Sequence, residues 1–254
     1  MKVNSKILNY WNNDDVESMY HKHLLNAEIN LIKKHIPENI KLLDAGCGEG
    51  EGTLSYSYIP GIKIHAVDFS NTRLKKAKKK LSNRNNITLK QVDFLDEYNL
   101  DKDYDVIVSQ RFLINITNLD AQKKILLDLM SLLKRGGILI MMEGSKNGVD
   151  SLNKFRNAFN LKPIPVKWHN LFFDDDLLVD FMQEHSYKLL KKSGLGSYFF
   201  LTRGIRPIFD VDLNWDCEFN HIASTKETKE ILGFEEEFSR LKLWVFQKNY
   251  INKI

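Results

Sequence analysis

Two cysteines in 254 residues, Cys47 and Cys217, are too few for a disulfide framework, and neither stands in a metal-ligand spacing. No stretch approaches the roughly 20 apolar residues that span a bilayer. Residues 1–15 are polar and asparagine-rich and lack the apolar run of a signal peptide. These absences lead to the expectation of a cytoplasmic, soluble protein with no membrane partner. Net charge is scarce too: 37 basic against 33 acidic residues leave +4, too small an excess to mark a nucleic-acid partner. The seven histidines show no zinc spacing, since His21 and His23 on one helix face different ways, so no metal is expected. Internal repeats and low-complexity segments are also missing.

What is present is alternation. Short apolar runs at 41–45, 62–67, 87–92, 104–109 and 138–142 are nearly continuous in hydrophobicity, as strands covered on both faces are. Between them Ser70 caps a helix carrying Leu74, Ala77 and Leu81, and a second helix runs from Leu119 to Lys134 before Arg135-Gly136-Gly137. Strand and helix in turn predict a doubly wound α/β fold around a parallel sheet. A helix over 16–36, with Val16, Met19, Tyr20, Leu24, Ala27, Leu31 and Ile32 on its stripe, precedes it, and Pro37 follows. After Glu143 the reading expects a helix at 149–159 and an irregular stretch at 162–173. A helix capped by Asp174 and a strand pair at 187–191 and 197–203 come next. An insertion over 204–239 with one helix leads to a closing strand at 241–247. The whole chain reads as one domain: a helical lid at 1–37, a core at 38–145, and acceptor-side insertions with closing strands at 146–254.

The first strand ends in Asp44-Ala45-Gly46-Cys47-Gly48-Glu49-Gly50. A glycine-rich strand-to-helix turn lets a ligand approach the backbone closely. The dinucleotide pattern needs glycine at position 51, where Glu51 stands, and Asp44 would repel a pyrophosphate. The loop suits a ligand with a cationic ammonium and no phosphate. The second strand ends at Asp68-Phe69, where a carboxylate can accept from both ribose hydroxyls. The third ends at Asp93-Phe94, an acceptor for an adenine amino group beside an apolar face. Three acidic strand tips in succession describe a crevice along the C-terminal edge of a parallel sheet.

On these residues the sequence resembles the class I S-adenosylmethionine (SAM)-dependent methyltransferases, over about residues 10–145. The resemblance implies a seven-stranded Rossmann-like sheet whose seventh strand is antiparallel and inserted between the fifth and sixth. Residues 197–203 and 241–247 are the candidates for the last two strands. It implies SAM as methyl donor, with S-adenosylhomocysteine as product. It assigns Asp44, Gly46, Cys47, Gly48 and Gly50 to the methionine end, Asp68 and Phe69 to the ribose, and Asp93 and Phe94 to the adenine. Gln110 and Tyr20 are cofactor-side candidates, and Gln110 with Arg111 matches the motif lining the transfer site. A narrower similarity, through Arg111–Asn115, Glu143–Ser145 and Pro163–Phe173, is to bacterial methyltransferases linked to surface-polysaccharide or secondary-metabolite modification.

The acceptor is less determined. The Asn/Asp-Pro-Pro-Tyr signature of amino methyltransferases acting on nucleic acids is replaced by Ser109-Gln110-Arg111-Phe112, and no acid of a magnesium-dependent catechol-type site lies between Ser109 and Leu119. A small polar acceptor methylated on oxygen, such as a sugar, sugar phosphate or phosphoramidate-type group, is expected. His169 is the candidate general base, or else a loop anchor. Arg111 is a clamp for an anionic acceptor, or else a scaffold partner of Glu143 or Asp44. Tyr10, Trp11, Asn115, Asn170, Ser197, Tyr198 and Arg203 are substrate candidates, with Tyr10, Trp11 and Tyr20 as a lid. Two competing readings remain: an RNA or protein methyltransferase acting through the basic helix 73–80, and a SAM-binding protein without turnover. Oligomeric state is left open.

Overall fold

The computed structural model describes residues 5–13, 15–16, 21–209 and 214–248. Tyr20 lies outside them. The chain opens with helix α1 (Ser5–Asn12) and α2 (Lys22–Lys33), and then β1 (Lys41–Ala45) and α3 (Glu51–Tyr56). Next come β2 (Lys63–Asp68), α4 (Asn71–Lys80), β3 (Ile87–Gln91), β4 (Tyr104–Gln110), α5 (Leu119–Leu132) and β5 (Leu133–Gly144). The remainder holds α6 (Lys146–Ala158), α7 (Asp175–Glu184), β6 (Tyr187–Gly194), α8 (Gly196–Phe199), α9 (Arg206–Phe209), α10 (Glu218–Ala223), α11 (Lys226–Leu232) and β7 (Leu241–Lys248). The seven strands form one sheet in the order β3-β2-β1-β4-β5-β7-β6. The first five run parallel, and β7 is antiparallel to both its neighbours. No described helix is long and apolar enough to cross a membrane.

Each face of the sheet carries a core. Leu42, Ile64, Val106, Ile140 and Val245 point to one side, where Leu25, Ile29 and Ile32 of α2 and Tyr198 and Phe199 of α8 cover them. Leu43, Val67, Ile107, Met141, Trp244 and Phe246 point to the other, under Ile125, Leu126 and Leu129 of α5 and Leu178 and Met182 of α7. This two-sided burial explains why the strands read as unbroken apolar runs rather than alternating ones. The caps at Ser70, Asn118 and Asp174 each accept a backbone N–H from their helix.

Four expectations need correction. Residues 197–203 are not a strand: α8 continues through a π-helical turn at Phe200–Ile205 into α9. The sixth strand is Tyr187–Gly194 instead. A strand at 197–203 is blocked because Ser197 N–H and Oγ both bond the Phe234 carbonyl, while the Thr202 hydroxyl bonds the Tyr198 carbonyl one turn back. Helix α2 begins at Lys22, not Val16, because His21 leaves helical geometry at φ −89°, ψ 84°. Helix α5 stops at Leu132, and residues 134–137, placed in a helix end and turn by the sequence, form a bulge within β5, whose pairing jumps from Leu133 to Ile138. The region 204–239 holds two helices after α9 among its described residues, α10 and α11, where one was expected.

Candidate functional site

A cavity of about 430 Å³ opens above the C-terminal ends of β1, β2, β3 and β4, within the range of roughly 300–1,000 Å³ usual for small-molecule sites. Topology puts it there: the chain leaves β1 and β4 for opposite faces, and the crevice between those departures stays uncovered.

The glycine loop forms its floor. Gly46 sits at φ 75°, and a Cβ there would come within 2.5 Å of the Phe112 side chain, so only glycine fits. Gly48 also has positive φ (55°), but a Cβ there would meet nothing within 4 Å, so the backbone is bare toward the cavity. Gly50 lies behind the cavity, packing on Ala77 of α4 and on Leu81, which follows that helix.

Acids ring this end. Asp44, 4% exposed, accepts a 2.5 Å hydrogen bond from Thr53 Oγ1, and burial raises its pKa to about 6. Asp68 accepts from Gly48 N–H through Oδ2 (2.9 Å) and from Ser70 N–H through Oδ1 (2.8 Å), and burial raises its pKa as well. Asp93 closes a turn by accepting from Leu95 N–H at 2.9 Å, and buried Phe94 lies beside it, 5.4 Å from the Phe112 ring. Phe69, Cys47 and Gln110 also face the cavity.

Histidine, amide and aromatic side chains also gather over the cavity. His169 is nearly buried, stacks on Tyr10 with ring centroids 4.5 Å apart, and meets Trp11 edge-on at 5.6 Å. Its pKa is lowered by burial and by Lys167, and among the described residues its Nδ1 has no hydrogen-bond partner. Asn170 Nδ2 donates to Asn115 Oδ1 at 3.1 Å, and both residues line the cavity, as does Arg203. Ser197 and Tyr198 do not line it; Tyr198 is part of the core under the sheet, and its neighbour Phe199 reaches the cavity in its place.

Arg111 takes neither of the scaffold partners that the sequence offered. Held at φ 51°, it forks onto Glu28 of α2, Nε donating at 3.0 Å and a second guanidinium nitrogen pairing with the other carboxylate oxygen. Glu28 is fully buried and also accepts from Gln110 Nε2 at 2.9 Å, while Gln110 Oε1 accepts from Tyr56 at 3.2 Å. Glu143 has a separate task. It accepts from Ser109 Oγ (2.6 Å) and from the backbone N–H groups of Phe112, Leu113 and Ile114, folding the turn after β4; burial nevertheless raises its pKa to about 7.

Several residues escaped the sequence reading. Glu28 left a signal: it is an acid in the apolar phase of α2, four residues after Leu24. Arg73 was counted among the solvated or RNA-touching bases of α4, yet it is 2% exposed. It pairs with Glu49 of the glycine loop and donates to the carbonyls of Trp11 (3.1 Å), Asn13 and Val16. Lys76 and Lys80 pair with Glu49 and Glu51. His21 and Arg240, which no motif marks, also line the cavity, as does Lys167 of the stretch Pro163–Phe173.

A family model described as a methyltransferase domain matches residues 36–194. The ubiquinone/menaquinone biosynthesis C-methyltransferase UbiE of Vibrio campbellii is 30% identical over 185 residues, covering 65% of this chain and 68% of that protein. The enzyme of the same name from Vibrio parahaemolyticus is 33% identical over 135 residues, 49% of each chain. Among solved structures, a TehB-like SAM-dependent methyltransferase from Corynebacterium glutamicum superposes with a TM-score of 0.54 at 17% identity, over 88% of both chains. Phosphoethanolamine N-methyltransferase 1 of Haemonchus contortus, in complex with phosphoethanolamine and S-adenosylhomocysteine, gives 0.64 at 13% identity, over 98% of this chain and 49% of that one. The acidic crevice, the sheet order with its inserted antiparallel strand, and these matches agree: the chain belongs to the class I SAM-dependent methyltransferases.

Proposed function

We propose that the chain methylates an oxygen of a small polar acceptor held beneath α1. The observation that carries this reading is one cavity lined both by the carboxylates Asp44, Asp68 and Asp93 and by His169, Asn115 and Asn170, to which we assign a donor end and an acceptor end. The first end fits SAM: the bare backbone at Gly48 leaves room for the methionine chain, and Asp44 offers charge to its ammonium. Asp68 retains lone pairs for the ribose, and Asp93 and Phe94 flank the adenine. When bound, SAM supplies an electrophilic methyl. The protein's own part is alignment and water exclusion, which can contribute on the order of 7–11 kcal/mol. Gln110 sits between the two ends and is held by Tyr56 and Glu28.

Burial, and after it Lys167, lowers the His169 pKa and so favours the neutral imidazole. A neutral imidazole can take the proton of an alcohol as the oxygen attacks, a contribution of roughly 10²–10⁴-fold. Arg111 acts through position, since Glu28 occupies its fork. Tyr10 and Trp11, tethered by Arg73, roof the cavity as a lid built from residues 1–37, over a core at 38–145 and the acceptor-side region 146–254 of one domain. Sugars and sugar phosphates of surface-polysaccharide modification fit such a site, and the two free thiols suit a cytoplasmic setting. Of the six bases of helix 73–80 that the RNA-directed reading uses, Arg73, Lys76 and Lys80 are engaged by backbone and by Glu49 and Glu51, and Lys75, Lys78 and Lys79 stay exposed.

A ring-carbon acceptor is the second reading, favoured by the names of the Vibrio relatives and by the apolar wall of Ile7, Leu24, Leu25, Ile114 and Ile116. The deciding experiment follows S-adenosylhomocysteine release with sugars, sugar phosphates, phosphoramidates and hydroquinones, and locates the new methyl by NMR. An O-methyl product supports the first reading and a C-methyl product the second. SAM binding without turnover on any acceptor would leave a SAM-binding protein that does not transfer.

A further inference from the structure

The acids that line the cavity come from one half of the sheet, where the cation Arg73 pairs with Glu49. The acids, Asp44, Glu49, Glu51, Asp68 and Asp93, belong to the tips of β1, β2 and β3 and the turns after them. Across the sheet, the rim of β5 and β7 carries cations. Arg240 immediately precedes β7, where its carbonyl accepts from Ser145 N–H at 2.9 Å, and its guanidinium lies 5.4 Å over the Phe172 ring. Arg203 stands on the π-helical turn with its guanidinium 3.7 Å over the Trp215 ring. Lys167 comes from the loop that carries His169. His21, the residue that caps α2, meets the same Trp215 ring edge-on at 4.7 Å. Burial, and after it Arg203, Arg111, Lys167 and Arg240, lower the pKa of its imidazole to about 3. His21 is therefore neutral and able to hydrogen-bond without charge.

Arg111 is the cation that the sequence offered for an anionic acceptor, and Glu28 neutralises it by a bidentate pair. Among the described lining residues no acid comes from the part of the chain after residue 93. The two guanidinium groups, each laid on an aromatic face, are pre-oriented for planar, multidentate contact with oxygen.

We propose that Arg203, Arg240 and Lys167, with His21 beside Arg203, seat a phosphoryl group of the acceptor, and that Arg111 takes no direct part in holding it. This rests on the proposed reading of the cavity as a SAM and acceptor site, and it narrows the acceptor to a phosphorylated small molecule. The seat fixes one end of the acceptor and leaves the other to reach His169.

The test uses the full-length protein saturated with S-adenosylhomocysteine and titrated by calorimetry with glycerol 3-phosphate, glycerol and inorganic phosphate. Binding of the ester and of inorganic phosphate, with none of glycerol, is expected. Arg203→Gln and Arg240→Gln should each weaken ester binding about tenfold or more, as loss of a charge-assisted hydrogen bond does. Arg203→Lys and Arg240→Lys should recover part of the loss, and S-adenosylhomocysteine affinity should stay unchanged in every variant. Glycerol and glycerol 3-phosphate binding alike in the wild-type protein, or failure of both to bind, would overturn the seat whether or not any variant folds. So would a loss confined to Arg111→Gln. Failure of S-adenosylhomocysteine itself to bind would instead sink the underlying reading of the cavity.

Discussion

Asp68 offers the sharpest perturbation, because its carboxylate is already half used. Oδ1 and Oδ2 each accept one backbone N–H, from Ser70 and Gly48, and a carboxylate has about four lone-pair sites. Two remain, one per oxygen, which matches the two hydroxyls of a ribose. Hydrogen bonds to a charged group contribute roughly 1.5–3 kcal/mol each. Asp68→Ala should thus cost about 3–6 kcal/mol of binding, or roughly 10²- to 10⁴-fold in affinity for S-adenosylhomocysteine. Asp68→Asn separates the two duties. Whichever way its amide is turned, the NH2 faces one of two backbone donors, Gly48 or Ser70, and orphans it. The asparagine variant should therefore melt earlier, losing about 1–3 kcal/mol of stability, and should lose one ribose bond, roughly 10- to 150-fold in affinity. Calorimetry gives the affinities and thermal melting the stability. A folded Asp68→Ala protein that bound S-adenosylhomocysteine within threefold of wild type would refute the reasoning and move the ribose elsewhere.

Three further outcomes follow from the same geometry. Burial holds the Asp44 pKa at about 6, above its ordinary 3.8, so the ligand-free fold gains from Asp44 below about pH 4 and loses that gain as pH rises through 6. A cationic ligand favours the ionised form, so SAM affinity should climb between pH 5 and 7 with release of up to one proton. Calorimetry in buffers of different ionisation enthalpy reads that release, and a flat or falling affinity would contradict it. Glu143→Gln keeps one acceptor oxygen for a site where four donors converge, so it should lower stability by about 1–3 kcal/mol and slow turnover by loosening the turn at Phe112–Ile114, measured by melting and by kcat. Arg73→Ala removes the clasp between Glu49 and the carbonyls of Trp11, Asn13 and Val16. Faster S-adenosylhomocysteine dissociation and easier proteolysis near residue 12 are expected; unchanged values for both would show that the clasp carries no load.

Most strands and two of the caps were legible because both signals are local: unbroken apolar runs report two-sided cover, and Ser70 and Asp174 report the start of a helix. The acidic lining of the cavity was legible for a related reason, since its acids stand at strand tips that follow one another in sequence. The rest of the lining is assembled from residues as far apart as Tyr10, His169, Arg203 and Arg240, so no spacing announces it. Ser197–Phe200 has the aromatic-rich composition of a strand, but it coils because bonds to Phe234 and packing against Phe155 and Phe238 override local preference. Arg73 was hidden in a lysine-rich run whose other members are mostly solvated, and its burial depends on a segment 57 to 62 residues away.

The central claim is that the acidic crevice binds a phosphate-free, positively charged nucleoside. Calorimetric titration of the wild-type protein with SAM, S-adenosylhomocysteine and NAD measures it most directly. One site saturable by SAM and by S-adenosylhomocysteine, with no heat from NAD, is the predicted result; saturable binding of NAD with none of the two sulfur nucleosides would contradict the account.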